Sequence, residues 1–491
     1  MRQDISVRVA SDLPSGRAIY RTLESFLDNE VFLYDDEHLA DVYYGHFHES
    51  IDVTSVVLYT FEPAPENQIV TCLQRTIERA RFLIDAAVNS TEYISGCYGG
   101  AKGFIDTAER VHTLAEDLVP SPEESSNRRW LVQLLNDIVS DFDPETDLCC
   151  EVFGSYASQL NTEMSDLDLS LEGLVDCGPG GWVDISEVSG STKKNILRHL
   201  GSVLRQNNEF QVKVTIHGRI SILKIFHRPT CIHCDICLSE DCTAWPKAQL
   251  FLCLNMIDEK FRLLVNLVMR WATEFGIKNG AEAKLNSFTL TLLVIFHLQT
   301  RPDPVLPALK SIMPGEKRGL QSWSRFEVAR GGRSKAIKTM AWKTRVWAEK
   351  HGGQNDESLL ELFLSFMALM DGLFRTWNVR IHESAGRLLR VSAYHSCIYL
   401  GEDPLNNNGH RSNQRAPGVI FVEDPFDKEI NSARSVSKAC VNSVIDAANS
   451  TLQSFQQCPP PEFMWDAFGC ESNSGENWEY SSSSSSDYVY L

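Results

Sequence analysis

Two aspartates, Asp166 and Asp168, stand one residue apart in a run that continues Leu169-Ser170-Leu171. On a strand alternate side chains share a face, so both carboxylates point one way while Leu167, Leu169 and Leu171 pack the other. Two adjacent carboxylates repel, and a hard divalent cation with oxygen ligands is the commonest means of offsetting that repulsion. Upstream lie Gly154 and Ser155, at the end of a strand-like run from Cys149 to Phe153. A glycine lets the backbone approach an anion closely, and a helix starting there aims free N–H groups at a phosphate. A third acid, Asp235, lies in Cys231 to Leu238, where alternation leaves it opposite the apolar face of Ile232, Cys234, Ile236 and Leu238. Asp166, Asp168 and Asp235 together can share two Mg²⁺ or Mn²⁺ ions. Such a pair activates an attacking hydroxyl and stabilises the leaving oxygen of an in-line phosphoryl displacement. An Asp-x-Asp pair alone is more often a solvated strand edge; the preceding Gly-Ser and the later isolated acid give the set its meaning.

The elements that must position these residues are readable from periodicity. Leu131, Leu134, Leu135 and Ile138 predict a helix, and Ile196, Leu197, Leu200, Val203 and Leu204 a second. Phe210 to Ile216, Arg219 to Phe226 and Cys231 to Leu238 read as three successive strands. The result is an α+β domain with a mixed sheet flanked by helices. From Pro246 to about Ala393 the pattern is almost wholly helical, with Leu250 to Met256, Phe261 to Phe275, Phe288 to Leu298 and Leu359 to Phe374 clearest. Helical spacing also appears over Leu73 to Val88 and Ile105 to Leu118 in the N-terminal region. Pro120 to Asn127 reads as a polar linker before a helix starting near Arg128. Four regions are expected: an N-terminal extension (1–125), a catalytic domain (126–245), a helical domain (246–455) and a disordered tail (456–491).

The 491 residues carry a net charge of −19, with 43% hydrophobic and 23% charged residues, the composition of a globular protein. That balance alone argues against a nucleic-acid partner. Its distribution reverses the reading: residues 1–150 hold 27 acids against 11 bases, and 459–491 hold 6 acids and no base, leaving 151–458 slightly basic. Residues 317–350 carry ten Lys and Arg against Glu327 and Glu349, interleaved with Trp323, Phe326, Trp342 and Trp347, a combination that suits single-stranded RNA. No apolar run approaches the ~20 residues of a membrane span. The acids among the first thirty residues do not fit a secretory signal. Cytoplasmic or nuclear residence, without secretion and without a membrane, is expected, and the fourteen cysteines read as reduced thiols. Cys231, Cys234 and Cys237 have a zinc-like spacing, but on a strand Cys234 faces away from the other two. Gly331 to Lys335 lacks the spacing of a phosphate loop.

Over roughly residues 128–450 the chain resembles the template-independent RNA nucleotidyltransferases: the noncanonical poly(A) polymerases and terminal uridylyltransferases. Besides Gly154, Ser155 and the three aspartates, the resemblance rests on Leu285-Asn286-Ser287-Phe288 and on Phe421-Val422-Glu423-Asp424-Pro425-Phe426, followed by Asn431 and Arg434. The run from His297 to Pro307 looks most like plant enzymes that add uridine to small RNAs. The resemblance implies a polymerase-beta-like catalytic domain followed by a mainly helical domain, acting on an RNA 3′ end with a nucleoside triphosphate, UTP favoured over ATP. It also implies that Ser155 and Ser287 hold phosphate, that Phe288 stacks on the base, and that Asp424 and Asp427 lie near the base edge, with Asn431 and Arg434 in the same signature. Where the family carries two lysines on one helix, this chain has Met269 and Thr273; Phe288 replaces a tyrosine, and Ile430 stands at a uracil-favouring histidine. These departures predict weakened nucleotide affinity and motivate a rival expectation: an impaired relative that binds RNA, or binds a protein through its acidic N-terminal region.

Overall fold

The computed structural model describes residues 4–9, 54–59, 101–178, 181–215, 222–238, 244–313, 330–380, 387–402 and 420–455. The helix expected over 73–88 and the tail from 456 lie outside them. Strands β1 (Asp4–Val9) and β2 (Thr54–Tyr59) pair antiparallel in the N-terminal region, and helix α1 (Ala101–Asp117) follows. The remaining elements fall into two compact units, one built on Thr113–Asn266 and Ile312–Lys350, the other on Leu267–Ser311 with the chain after His351.

The first unit is organised around a sheet of β3 (Thr146–Phe153), β4 (Leu167–Asp176), β5 (Trp182–Asp184), β6 (Phe210–Thr215), β7 (Ile222–His227) and β8 (Ile232–Leu238). Its order is β3-β4-β8-β7-β6, with β5 on the far end of β4; only the β4–β8 pair is parallel. A parallel pair cannot be joined by a tight turn, and the intervening chain contains helix α4 (Gly190–Gln206), capped by Ser189 Oγ accepting from Thr192 N. Helix α2 (Pro122–Asp141) and α4 supply the apolar cover. Leu131, Leu135 and Val139 from one helix, and Ile196, Leu197, Leu200 and Leu204 from the other, enclose Leu167, Leu169, Leu171, Leu223, Ile225, Cys234 and Ile236. Each such burial contributes roughly 2 kcal/mol.

The stretch Pro120–Asn127, expected as a linker, instead forms the cap and first turns of α2. Ser121 Oγ accepts from Glu124 N, and Pro122 occupies a first-turn position where no intrahelical N–H bond is lost. Beyond β8, helices α5 (Ala244–Asn255) and α6 (Glu259–Glu274) follow.

In the second unit helix α7 (Ser287–Gln299) is buried on every side from Thr289 to Gln299, as an all-round apolar sequence requires. The short α8 (Leu309–Ile312) follows it; α9 (Arg330–His351), next in sequence, belongs to the first unit. Helices α10 (Leu359–Arg380) and α11 (Lys438–Phe455) complete the helical part. Where helical periodicity was expected to run to Ala393, the chain forms strand β9 (Arg387–Ser392), which joins β10 (Cys397–Glu402), β11 (Phe421–Asp424) and β12 (Asp427–Asn431) in the order β10-β9-β11-β12. Among the described residues no helix is long and apolar enough to cross a membrane.

Candidate active site

Parallel pairing of β4 with β8 sets Asp168 directly beside Asp235, with Leu167 opposite Cys234 and Leu169 opposite Ile236. The leucines, Cys234 and Ile236 are fully buried in the core, so the two acids occupy the other face of the sheet. Asp235 is only 3% exposed, whereas Asp166 and Asp168 are half-buried. Burial first, then the charges of Asp235 and Asp166, hold the Asp168 carboxyl well above its ordinary range; Lys224 and Arg128 pull it partly back. The three acids therefore share one electrostatic neighbourhood.

Gly154 packs against one of these acids, Asp168. It opens the five-residue helix α3 (Gly154–Ser158) directly after β3, at φ +68, and a Cβ there would overlap the Asp168 carboxylate, its Cγ lying 2.8 Å away. Only glycine combines that backbone angle with that approach. Ser155 follows in α3, where its carbonyl accepts from Leu160 N at 2.9 Å. Asn255 of α5 donates from Nδ2 to the Ser158 carbonyl at 2.6 Å, bracing the far end of this turn.

Two cations that the sequence reading did not single out complete the site. Lys224 pairs with Asp235 in the β7–β8 register, and its Nζ donates to Asp235 Oδ2 at 2.6 Å. Its signal was available: Leu223 and Ile225 belong to the core face, so Lys224 must take the face of the acids. Arg128 is 1% exposed. It donates from Nη2 to the carbonyls of Glu163 and Ser165, at 3.1 and 2.6 Å, and from Nε to Glu124 at 2.9 Å. The loop that delivers Asp166 is thereby pinned one residue before the acid. An arginine in phase with Leu131, Leu135 and Val139 on one helix was the clue.

The donor set fits a hard divalent cation, because two register-paired carboxylates and a third nearby call for positive charge. The cage is not closed: among the described residues no three His, Cys, Asp or Glu side chains are gathered as a ready metal site, and Lys224 holds one oxygen of Asp235. Of the cysteines with zinc-like spacing, Cys231 lies in the turn before β8 at φ +54, while Cys234 and Cys237 are buried strand residues.

The remaining sequence candidates lie in the second unit. Asn286 caps α7, Oδ1 accepting from Thr289 N at 2.8 Å while Nδ2 donates to the Ser432 carbonyl at 2.9 Å. This tie brings Ser287 and Phe288 beside the end of β12. Phe288 is half-buried, in contrast to the eleven wholly buried residues that follow it. Asp424 is buried and accepts from Phe426 N at 2.8 Å, closing the β11–β12 turn. Asp427 is half-buried and accepts from Glu429 N. The Asn431 amide staples backbone, accepting from Val422 N and Ala433 N and donating to Ile420 O. Arg434 is exposed. On α6, where Met269 and Thr273 stand, Arg270 pairs with Glu274 at 2.7 Å. Trp271 is buried and donates to Thr451 Oγ1 at 2.9 Å.

Residues 108–253 match the central palm domain of the mitochondrial-like poly(A) RNA polymerases. Protein HESO1 of Arabidopsis thaliana is 29% identical over 335 residues, covering 67% of this chain; the chain spans 60% of that relative's length. The crystal structure of mtPAP in complex with UTP superposes with a TM-score of 0.54 at 18% identity, covering 77% of this chain and 73% of the other. The Cid1 poly(U) polymerase with Mg and 3′-dATP bound gives a TM-score of 0.52 at 19% identity, covering 74% and 98%. At these identities the structural likeness is one of fold, and the fold is the polymerase-beta-like α+β architecture expected from the sequence.

Proposed function

We propose that the chain, which is similar to the noncanonical poly(A) polymerases and terminal uridylyltransferases, is a template-independent RNA 3′-terminal nucleotidyltransferase using UTP in preference to ATP. The observation that carries the reading is the Asp168–Asp235 register, with Gly154 packed against the Asp168 carboxylate and Asp166 in the same electrostatic neighbourhood. In this reading residues 126–245 carry catalysis and 246–455 form the associated, mainly helical domain.

Mg²⁺ or Mn²⁺, when bound, would supply the positive charge that lowers the barrier to attack by the RNA 3′-hydroxyl on the α-phosphate, with departure of pyrophosphate. Asp166 and Asp168 would help to hold the ions. Asp235 would lie nearest the attacking hydroxyl. Gly154 and Ser155 would face the triphosphate, and Ser287 would contact phosphate in turn. Phe288, half-buried at the head of α7, offers a face for any base. Asp424, Asp427, Asn431 and Arg434 are assigned to the base side through the family signature, with the turn and staple contacts of Asp424 and Asn431 shaping the β11–β12 hairpin that presents it. UTP preference rests on the similarity to plant uridine-adding enzymes.

Incubating the purified full chain with labelled single-stranded RNA, Mg²⁺ and each nucleotide separately tests the proposal. Extension is expected, most with UTP, and no extension with any nucleotide overturns it. A second reading has its own support: Met269 and Thr273 leave α6 without a lysine at either position, and Arg270 is engaged by Glu274. A family member impaired in nucleotide binding, serving as an RNA- or protein-binding module, would bind its partner equally well after Asp166→Ala and extend nothing.

A further inference from the structure

Helix α9 carries a feature that the phosphoryl-transfer site does not use. Met340 and Thr344 are buried, at 0% and 1% exposure, and Lys343 turns its ammonium to the Met313 carbonyl at 3.0 Å. At about 100° per residue, Lys338, Trp342, Arg345 and Val346 fall on the opposite side of the helix within an arc of about 100°. Lys338 and Arg345 are exposed; Trp342 is 56% and Val346 42% exposed. A tryptophan more than half in water costs apolar hydration and is a platform awaiting a planar partner. Here it is flanked along the helix by cations on either side.

We propose that this face of α9 binds the backbone and a base of single-stranded RNA, with Trp342 stacking on the base and Lys338 and Arg345 meeting phosphates. Charge selects the occupant. In a chain of net charge −19, residues 317–350 hold ten Lys and Arg against two Glu, a local sign matched to a polyanion. On this face Lys338 and Arg345 stand about one turn from the Trp342 ring on either side, the basic-plus-aromatic spacing that suits a single strand. The Arg345–Glu349 pair, 3.6 Å apart with both side chains about two-thirds exposed, is a weak surface contact that phosphate can displace. The assignment deepens the nucleotidyltransferase reading by giving the RNA a contact separate from the three aspartates.

The test is fluorescence anisotropy of the full chain with a labelled single-stranded RNA, in the absence of nucleotide and divalent metal, together with thermal melting of each variant. Trp342→Ala is expected to weaken binding about 10-fold and Trp342→Phe to restore most of it, as one stacked base requires. Lys338→Ala with Arg345→Ala should reduce the slope of log affinity against log salt by about 1.4 units, as the loss of two single-strand phosphate contacts implies. RNA affinity within twofold of the parent in both variants, at unchanged melting temperature, overturns the proposal. So does an acidic peptide that binds in a Trp342-dependent way when RNA does not. RNA binding that depends on Trp342 in a chain that extends nothing would keep this surface and refute the catalytic reading.

Discussion

Lys224 Nζ lies 2.6 Å from Asp235 Oδ2, placing an ammonium on the most deeply buried of the three acids at the site. The strand register dictates the pairing, so the lysine is a standing counter-charge for Asp235, and a divalent cation engaging that oxygen must compete with it.

Lys224→Met should therefore destabilise the protein in EDTA by about 3 kcal/mol, because it strands a buried charge. Added Mg²⁺ or Mn²⁺ should recover part of the loss, and the metal-induced rise in melting temperature should be larger in the variant than in the parent. Differential scanning fluorimetry across a metal titration reads both. An equal metal-induced shift in the two proteins would contradict competition between Lys224 and metal.

At Gly154 the expected effect is steric. Gly154→Ala puts a methyl group into the Asp168 carboxylate and holds an alanine at φ +68, a backbone angle that alone costs about 1–2 kcal/mol. RNA extension should fall at least tenfold, with only a modest loss of melting temperature. Normal extension by this variant would mean that Asp168 need not keep its position.

For Arg128 the prediction separates positioning from packing. Arg128→Lys keeps the charge and loses the guanidinium, whose Nη2 binds both the Glu163 and Ser165 carbonyls while Nε holds Glu124. Displacement of Asp166 by about 1 Å is enough for a large loss of rate, of order 100-fold in unfavourable cases. The extension rate should fall with little change in the apparent affinity for RNA, and the metal dependence should shift to higher concentration. A stability loss with unchanged metal dependence would leave Arg128 a core residue only.

Glu423 supplies a pH dependence. Burial pushes its carboxyl up to about 7 from an ordinary value of 4.5, although Arg390 and the hydrogen bond from Ser392 Oγ act in the opposite direction. The folded protein holds the proton more tightly than the unfolded chain, so the contribution is full below 4.5 and is lost as pH rises through about 7. Glu423→Gln cannot lose a proton. Relative to that variant, the parent should become less stable between about pH 5 and about pH 8 by an amount on the order of 3 kcal/mol, measured by urea unfolding. Parallel stability curves for the two proteins would refute the shift.

Several of these relationships were legible in the residues alone. Alternation in Leu167 to Leu171 and Ile232 to Leu238 fixes which face each acid takes, and the all-apolar run after Phe288 announces a central helix. Strand β9 was not legible because Arg387-Leu-Leu-Arg-Val-Ser fits neither period well; its hairpin partner β10 follows closely, but its parallel partner, β11, begins some thirty residues later. Local pattern carries no information about so distant a pairing. The start of α2 was missed for the opposite reason: Pro120 to Asn127 has turn-forming composition, yet Ser121 and Pro122 are also good helix-starting residues. Arg128 and Lys224 escaped notice as isolated charges among apolar neighbours, and only the register shows what they face.

The most direct measurement is Mn²⁺ binding to the full chain with a non-hydrolysable UTP analogue, followed by electron paramagnetic resonance, in the parent and in Asp168→Asn. The proposed metal role of Asp166, Asp168 and Asp235 predicts nucleotide-dependent Mn²⁺ binding in the parent and its loss, at unchanged fold by circular dichroism, in the variant. Equal Mn²⁺ binding by both proteins would contradict it.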